Sequence, residues 1–163
     1  MITQELVKEL FEYRDGDLYW KKINPYAHNI KIGAEAGCLK NRGYLCTKIN
    51  GKSYLNHRLI FLYHHGCLPK FIDHINNIKT DNRIENLREA TVSQNALNKK
   101  QQSNNTSGIK GVSWNIQAQK WRVRLQINGK EKSFGAYYDF DAAKFIAETM
   151  RHKFHGEFAN HGV

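Results

Sequence analysis

Two Asn-Gly dipeptides set the strongest limit on how this chain can fold. Asn50-Gly51 and Asn128-Gly129 each join two short stretches that have the composition of strands, a pattern typical of tight antiparallel hairpins. An apolar pattern of helical period follows each hairpin. The sequence therefore predicts an α+β fold with two small antiparallel sheets, each accompanied by helices.

The remaining elements follow from local signals. Thr3, Asn56 and Asp139 are suited to cap helices, Gly66 is suited to end the second one, and Thr91 with Gln94 forms a capping box. In chain order, we predict a helix after Thr3, strands at 18–22, 44–49 and 52–55, a helix after Asn56, a strand–loop–strand segment from Phe71, a helix after Thr91, strands at 111–114, 120–127 and 130–134, and a helix at 139–155.

The charge balance points to a polyanionic partner. The 163 residues include 25 Lys or Arg and 15 Asp or Glu, for a formal charge of +10. A polar run around 99–107 divides the chain into a domain at 1–100, a linker at 101–106 and a domain at 107–163. Both sides are basic, with +6 for residues 1–100 and +4 for residues 101–163.

Several classes of protein are disfavoured. No apolar run approaches the roughly 18 to 20 residues of a membrane span, and the N-terminus does not resemble a signal peptide, so we expect a cytoplasmic protein. Cys38, Cys46 and Cys67 are odd in number and lack the spacing of a zinc site. We expect them to be reduced and mostly buried.

One segment carries residues suited to phosphodiester hydrolysis. Asp73-His74 ends a predicted strand, Asn86 begins the next, and Asn95 lies in the first turns of the helix after Thr91. If the strands pair and the helix packs across them, one carboxylate, one imidazole and two amides meet. Asn76, Asn77 and Asn82 are interpreted as loop formers. His57 could contact a phosphate or could pack or cap its helix, and we leave it outside the active set.

Each of the four groups has a chemical role in such a site. Asp73 and Asn95 offer hard oxygen ligands to a single Mg²⁺ or Mn²⁺ ion. His74 suits the general base, because neutral imidazole is available at cytosolic pH. Asn86 would hold the imidazole. An ordinary solvated turn is the competing interpretation, since Asn and Asp favour loops whatever their function.

These residues resemble the His-Asn-His (HNH) endonucleases with a ββα-metal fold, especially the His-Asn-Asn branch of phage and intron-encoded homing enzymes. The resemblance rests on Asp73-His74, on Asn86 in IENLREAT and on Asn95 in SQNALNKK. It implies that Asp73 and Asn95 bind one divalent metal, that His74 activates water and that Asn86 orients His74. It also implies 5′ phosphate and 3′ hydroxyl products.

The second domain has the pattern of a DNA-reading sheet. In WRVRLQI, apolar residues alternate with Arg122, Arg124 and Gln126, which therefore share the face opposite the core. Arg suits guanine and Gln suits adenine in the major groove. Lys110, Lys130 and Lys132 suit phosphates.

Residues 107–160 resemble the plant ethylene-response-factor (APETALA-type) DNA-binding domain. The landmarks are Gly111-Val112, Trp121, Phe134-Gly135 and Ala142-Ala143. The resemblance implies a three-stranded antiparallel sheet that reads DNA while one helix packs behind it. Ser113 and Asn115 stand where the plant domains usually have Arg, so we assign both to the DNA surface but transfer no target sequence.

Together these features predict a site-directed, metal-dependent DNA endonuclease of the homing type. A monomer with its single active site should nick duplex DNA, in the host bacterial cytoplasm if the chain is phage-encoded. A double-strand break would require a dimer or sequential cuts, and the sequence does not choose between these, although it favours the monomer. Two alternatives remain open at this point. A DNA-binding regulator would share the basic face but not the nuclease, and an RNA-binding protein would also use basic strands with aromatic residues.

Overall fold

A computed structural model describes residues 2–22, 30–40, 42–98 and 105–161 of the chain. The fold is α+β, as predicted, with small antiparallel sheets and helices. The chain divides into two compact units, Met1–Ala90 and Thr91–Val163. We describe each unit by itself.

The first unit is built on a helical core between small sheets. Its elements are α1 (Gln4–Leu10), β1 (Phe11–Arg14), β2 (Asp17–Trp20), β3 (Cys38–Leu39), β4 (Leu45–Ile49), β5 (Lys52–Leu55), α2 (Asn56–His65), β6 (Phe71–His74) and β7 (Leu87–Ala90). Strands β1 and β2 pair, β4 lies between β3 and β5, and β6 pairs with β7, all antiparallel. Apolar side chains from α1, β1, β2 and α2 form its core.

The first helix begins at its predicted cap but is shorter than predicted. The Thr3 hydroxyl accepts a hydrogen bond from the Leu6 amide at 3.3 Å, which confirms the cap. The expected helix ends at Leu10, because Phe11 is extended and begins β1. Phe11 pairs with Trp20 across the strands, with ring centroids 4.5 Å apart. Burial of this aromatic pair favours the strand over another helical turn.

Asn56 does not cap α2 as predicted. It is the first helical residue, and Leu55 occupies the cap position without a side-chain bond. The buried Asn56 side chain accepts from the Thr47 hydroxyl and donates to the Ala36 carbonyl, both at 2.7 Å. These bonds satisfy polar groups inside the unit and tie α2 to the sheet. At the other end, Gly66 adopts the left-handed conformation of a C-cap, as expected.

The second unit is a three-stranded sheet with a long helix on one face. Its elements are α3 (Val92–Asn98), β8 (Val112–Asn115), β9 (Lys120–Ile127), β10 (Lys130–Tyr137) and α4 (Phe140–His155). Strand β9 lies between β8 and β10. Val123 packs with Ala143 and Ala147 of α4 in the core. Asp139 caps α4 by accepting from the Ala142 amide at 2.7 Å, as predicted.

Helix α3 groups with the second unit, whereas we predicted it in the first domain. Thr91 and Gln94 form the expected capping box, with reciprocal bonds of 2.8 and 3.2 Å. Within the second unit, Lys110 Nζ donates to the Leu97 carbonyl at 2.7 Å. Tertiary contacts that the local pattern does not encode therefore place the division before α3. Residues 101–104 of the predicted linker lie outside the described residues.

The cysteines are more accessible than predicted. All three are free thiols; Cys38 and Cys67 are exposed, and Cys46 is half-buried. Cys38 and Cys46 face each other across the short β3–β4 pair, whose two-residue length covers them poorly. The expectation of mostly buried thiols was wrong.

Candidate active site and nucleic-acid surface

Strand β6 places Asp73 and His74 next to each other in the first unit. The strand is short and pairs with β7, so that Asp73 lies opposite Arg88 and His74 lies opposite Leu87. Each of the two polar residues is only 5% exposed. Adjacent strand residues point to opposite faces, so both faces of this strand are covered. Burial of two ionisable groups requires specific partners.

The partner of the Asp73 carboxylate is Arg88. Arg88 donates to Asp73 Oδ2 through Nε at 3.1 Å and through Nη2 at 2.9 Å. Both side chains are largely buried, which strengthens the ion pair relative to one in water. Our sequence interpretation missed Arg88. The sequence feature that could have revealed Arg88 is its position in the second strand of the predicted pair, where it could lie opposite Asp73.

The partner of the His74 imidazole is Asn82. His74 Nε2 donates to Asn82 Oδ1 at 3.0 Å, and Asn82 is 1% exposed. Because a carbonyl oxygen only accepts, this bond assigns the proton to Nε2 and leaves Nδ1 as the basic nitrogen. We had interpreted Asn82 as a loop former. Its contact with His74 depends on how the loop folds back, which its residue type does not reveal.

Asn86 holds the loop and not the imidazole, which corrects its predicted role. Its Oδ1 accepts from the backbone N–H of Asn76 at 3.0 Å. Its Nδ2 donates to Asn76 Oδ1 at 2.9 Å and to the backbone carbonyl of Asp81 at 2.7 Å. These three bonds close the segment between β6 and β7. Asn86 therefore acts on His74 only through the loop that carries Asn82.

Burial keeps His74 neutral. Loss of solvent lowers the pKa of His74, whereas the bond to Asn82 and the nearby Asp73 carboxylate oppose that shift. The net direction is downward from the ordinary value of 6.5. Neutral imidazole is the form that accepts a proton, so the site is suited to general-base chemistry at neutral pH.

His57 packs against His74 from α2. Their ring centroids are 5.0 Å apart, and the His57 ring lies 5.3 Å from that of Tyr44. Burial lowers the pKa of His57 to about 3. His57 is thus a neutral residue packed against His74, one of the roles that the sequence left open.

Asn95 belongs to the second unit, whereas Asp73 and His74 belong to the first. It is half-buried in α3, and its backbone N–H donates to the Thr91 carbonyl at 2.9 Å in the first helical turn. Among the described residues, no group of three or more His, Cys, Asp or Glu could hold a metal ion. The shared metal of Asp73 and Asn95 therefore stays a prediction.

Comparison with known proteins identifies the family. The family model for HNH endonuclease matches residues 54–97, the segment that contains α2, β6, β7 and all of α3 except its last residue. Protein 3.8 of Escherichia phage T7 is 35% identical over 96 residues, which cover 58% of this chain and 78% of the phage protein. The chain therefore carries an HNH endonuclease domain over residues 54–97.

A second relative is the uncharacterized HNH endonuclease of Acanthamoeba polyphaga mimivirus. It is 30% identical over 123 residues, which cover 74% of this chain and 63% of the mimivirus protein, less than two thirds of its length. No solved structure gives a significant match. None of the helices in the described ranges is long and apolar enough to cross a membrane.

The second unit presents two half-buried arginines on the sheet face opposite α4. Val123 and Leu125 are buried on the side of α4, and Arg122 and Arg124 therefore lie on the opposite side of β9. The register and alternation place further predicted residues on this Arg face, namely Ser113, Asn115 and Gln126. Lys120 also belongs to the face, opposite Asn115, and was missed.

Three predicted phosphate ligands lie elsewhere. Lys130 pairs with Ile127 and Lys132 pairs with Leu125, so both lysines lie on the helix side of the sheet. Lys132 Nζ lies 5.6 Å from the ring centroid of Phe154 in α4, consistent with that side. Lys110 is half-buried and donates to the Leu97 carbonyl. The Arg face does not include these three lysines, and their assignment as phosphate ligands stays a prediction.

Proposed function

We propose that the chain is a site-directed DNA endonuclease of the homing type that nicks duplex DNA with one divalent metal and with His74 as the general base. The observation that supports this most directly is the buried bond from His74 Nε2 to Asn82 Oδ1, next to Asp73 on the same strand. It fixes one imidazole in a single tautomer within the segment matched by the HNH model.

In this mechanism the protein supplies a positioned base. His74 Nδ1 takes a proton from the attacking water, while Nε2 stays bonded to Asn82 and keeps the ring oriented. The hydroxide attacks the phosphorus atom, the bond to the 3′ oxygen breaks, and the products carry a 5′ phosphate and a 3′ hydroxyl. Asn86 maintains the loop conformation during this step, through its bonds to Asn76 and Asp81.

The donor set suits a hard divalent ion. Asp73 would contribute a carboxylate oxygen and Asn95 an amide oxygen, which are ligands of Mg²⁺ and Mn²⁺ and leave positions for water and phosphate. When bound, the ion would stabilise charge on the scissile phosphate and on the departing oxygen. Arg88 holds Asp73 Oδ2 and so fixes the carboxylate.

We assign duplex DNA binding to the Arg face of the second unit. Arg122 and Arg124 are half-buried on the face of β9 opposite α4, and a sheet of this size can enter the major groove. This face would select the target, whereas the first unit cuts it. A monomer has one such active site and should therefore nick one strand.

The decisive experiment is plasmid nicking by the full chain. Supercoiled plasmid with Mg²⁺ or Mn²⁺ should be converted to the open circle, and His74→Ala should bind DNA without cutting it. His65→Ala serves as the matched control, because His65 is an exposed histidine at the end of α2. Cutting by His74→Ala at the wild-type rate would refute the mechanism.

The same preparation separates the alternatives. A regulator without nuclease activity would bind duplex DNA and leave the plasmid supercoiled under every metal condition. An RNA-binding protein would prefer structured RNA to duplex DNA in a competition assay. We expect nicking together with preference for the duplex.

A further inference from the structure

The Arg face contains an acid among its basic residues. Glu131 lies opposite Gln126 on β10, and therefore on the same face as Arg124. Glu131 Oε1 accepts from Arg124 Nη1 at 2.5 Å. Within the segment from Lys110 to Lys132, this is the single acidic residue beside six basic ones. An acid costs affinity for a polyanion, so its position on this face requires an explanation.

The surroundings of the two arginines are small. Arg122 lies opposite Ser113 on one side and Ala136 on the other. Arg124 lies opposite Ser133, and its amide donates to the Gly111 carbonyl on the other side. The two arginines thus have short neighbours within the sheet, and the Arg124 side chain is 36% exposed.

The pairing leaves part of the guanidinium available. An arginine has five N–H donors, and the bond at Nη1 uses one of them. A guanine needs two donors side by side, for its O6 and N7 atoms. A phosphate, in contrast, is attracted mainly by net charge, which the adjacent carboxylate offsets. The pair therefore disfavours phosphate more than it disfavours guanine.

We propose that Glu131 is a specificity-determining residue, which suppresses binding of Arg124 to phosphates and orients it to read guanine in the major groove. This proposal rests on the proposed DNA-reading function of the Arg face. The ligand that Arg124 would recognise is a G·C base pair in duplex DNA. Glu131 lowers affinity for arbitrary sequence and raises the ratio of specific to non-specific binding.

The test compares Glu131→Gln with the wild-type full chain, in EDTA so that no strand is cut. The probes are a duplex obtained by binding-site selection and a scrambled duplex of the same composition, each measured over a range of salt concentrations. Glutamine can still accept from Arg124 but carries no charge. We expect tighter binding to the scrambled duplex, a salt slope steeper by about 1, and a selectivity ratio lower by about tenfold.

Two further variants isolate the mechanism. Asp141→Asn removes the same charge from the first turn of α4, which packs on the other face of the sheet, and should leave the selectivity ratio unchanged. In an Arg124→Ala background, Glu131→Gln should no longer change the ratio, because the arginine that it controls is gone.

The outcomes distinguish the two proposals. If the wild type discriminates between the duplexes and Glu131→Gln keeps the same ratio and salt slope, the role of Glu131 is overturned while DNA reading stands. If the wild type binds both duplexes equally, the reading function of the Arg face is overturned and the role of Glu131 with it.

Discussion

Acid should destabilise the first unit, and His57 should account for much of the effect. His57 is 5% exposed and its pKa is lowered to about 3 from an ordinary 6.5. Between these values the unfolded chain binds a proton that the folded chain does not. The stabilisation is therefore complete above about pH 6.5 and is lost progressively as the pH falls toward 3.

The size of the effect follows from the shift. Each pH unit in this window changes the free energy of unfolding by about 1.4 kcal/mol for one proton. Between about pH 7.5 and pH 5, His57 alone should cost about 2 kcal/mol. His74 shifts in the same direction and adds to the wild-type loss. The difference between wild type and a variant without the His57 imidazole isolates the first contribution.

The assay is urea unfolding at the two pH values for wild type and for His57→Phe, which keeps an aromatic ring beside Tyr44. Methyl resonances of Leu59 and Ile60 report on the core of the first unit. The variant should lose about 2 kcal/mol less than wild type on acidification. An equal loss in both chains, or a His57 resonance that titrates near 6.5 in the folded state, would refute the assignment of a buried neutral imidazole.

Two other substitutions test the site and the fold. Asn82→Ala removes the acceptor of the hydrogen bond from His74 Nε2. We expect kcat for nicking of supercoiled plasmid to fall by about tenfold to a hundredfold, with little change in KM. An unchanged kcat would show that the ring is held by other contacts. Gly37→Ala should destabilise the first unit by more than about 1 kcal/mol in urea unfolding, because Gly37 has a φ of +121° and a Cβ there would lie 2.6 Å from Asn56 Nδ2. Gly33→Ala, at a positive φ with open space around it, is the matched control for the contact with Asn56.

Local signals predicted most elements correctly because their chemistry is local. The Thr3 and Asp139 caps, the capping box at Thr91 and the two Asn-Gly turns all depend on bonds or backbone angles within a few residues. Such interactions can be inferred from the order of the residues alone.

The errors concern contacts between distant segments. Asn56, Asn82 and Asn86 have the same side chain, and only the tertiary structure decides which atom each one bonds. The resemblance indicated the correct segment but assigned the contact with His74 to Asn86. The loop between β6 and β7 brings Asn82 to the imidazole, and no periodicity in the sequence encodes that path.

The side on which two lysines lie can be predicted from the turn. A two-residue turn at Asn128-Gly129 pairs Ile127 with Lys130 directly, and residues paired in this way share a face. Because Ile127 alternates with Gln126 on β9, Lys130 and Lys132 lie on the helix side. Register propagated through the hairpin therefore gives the side of both lysines from the sequence alone.

The attachment of α3 to the second unit bears on how such enzymes could be recombined. Besides the bond from Lys110 to Leu97, Asn160 donates to the Asn98 side chain at 3.4 Å. A chimera joined within residues 99–104 would combine α3 with a foreign module that need not provide either donor. Exchange of the second unit between related proteins is therefore better attempted with a junction at Ala90. The transferred segment then includes both α3 and the sheet of β8, β9 and β10.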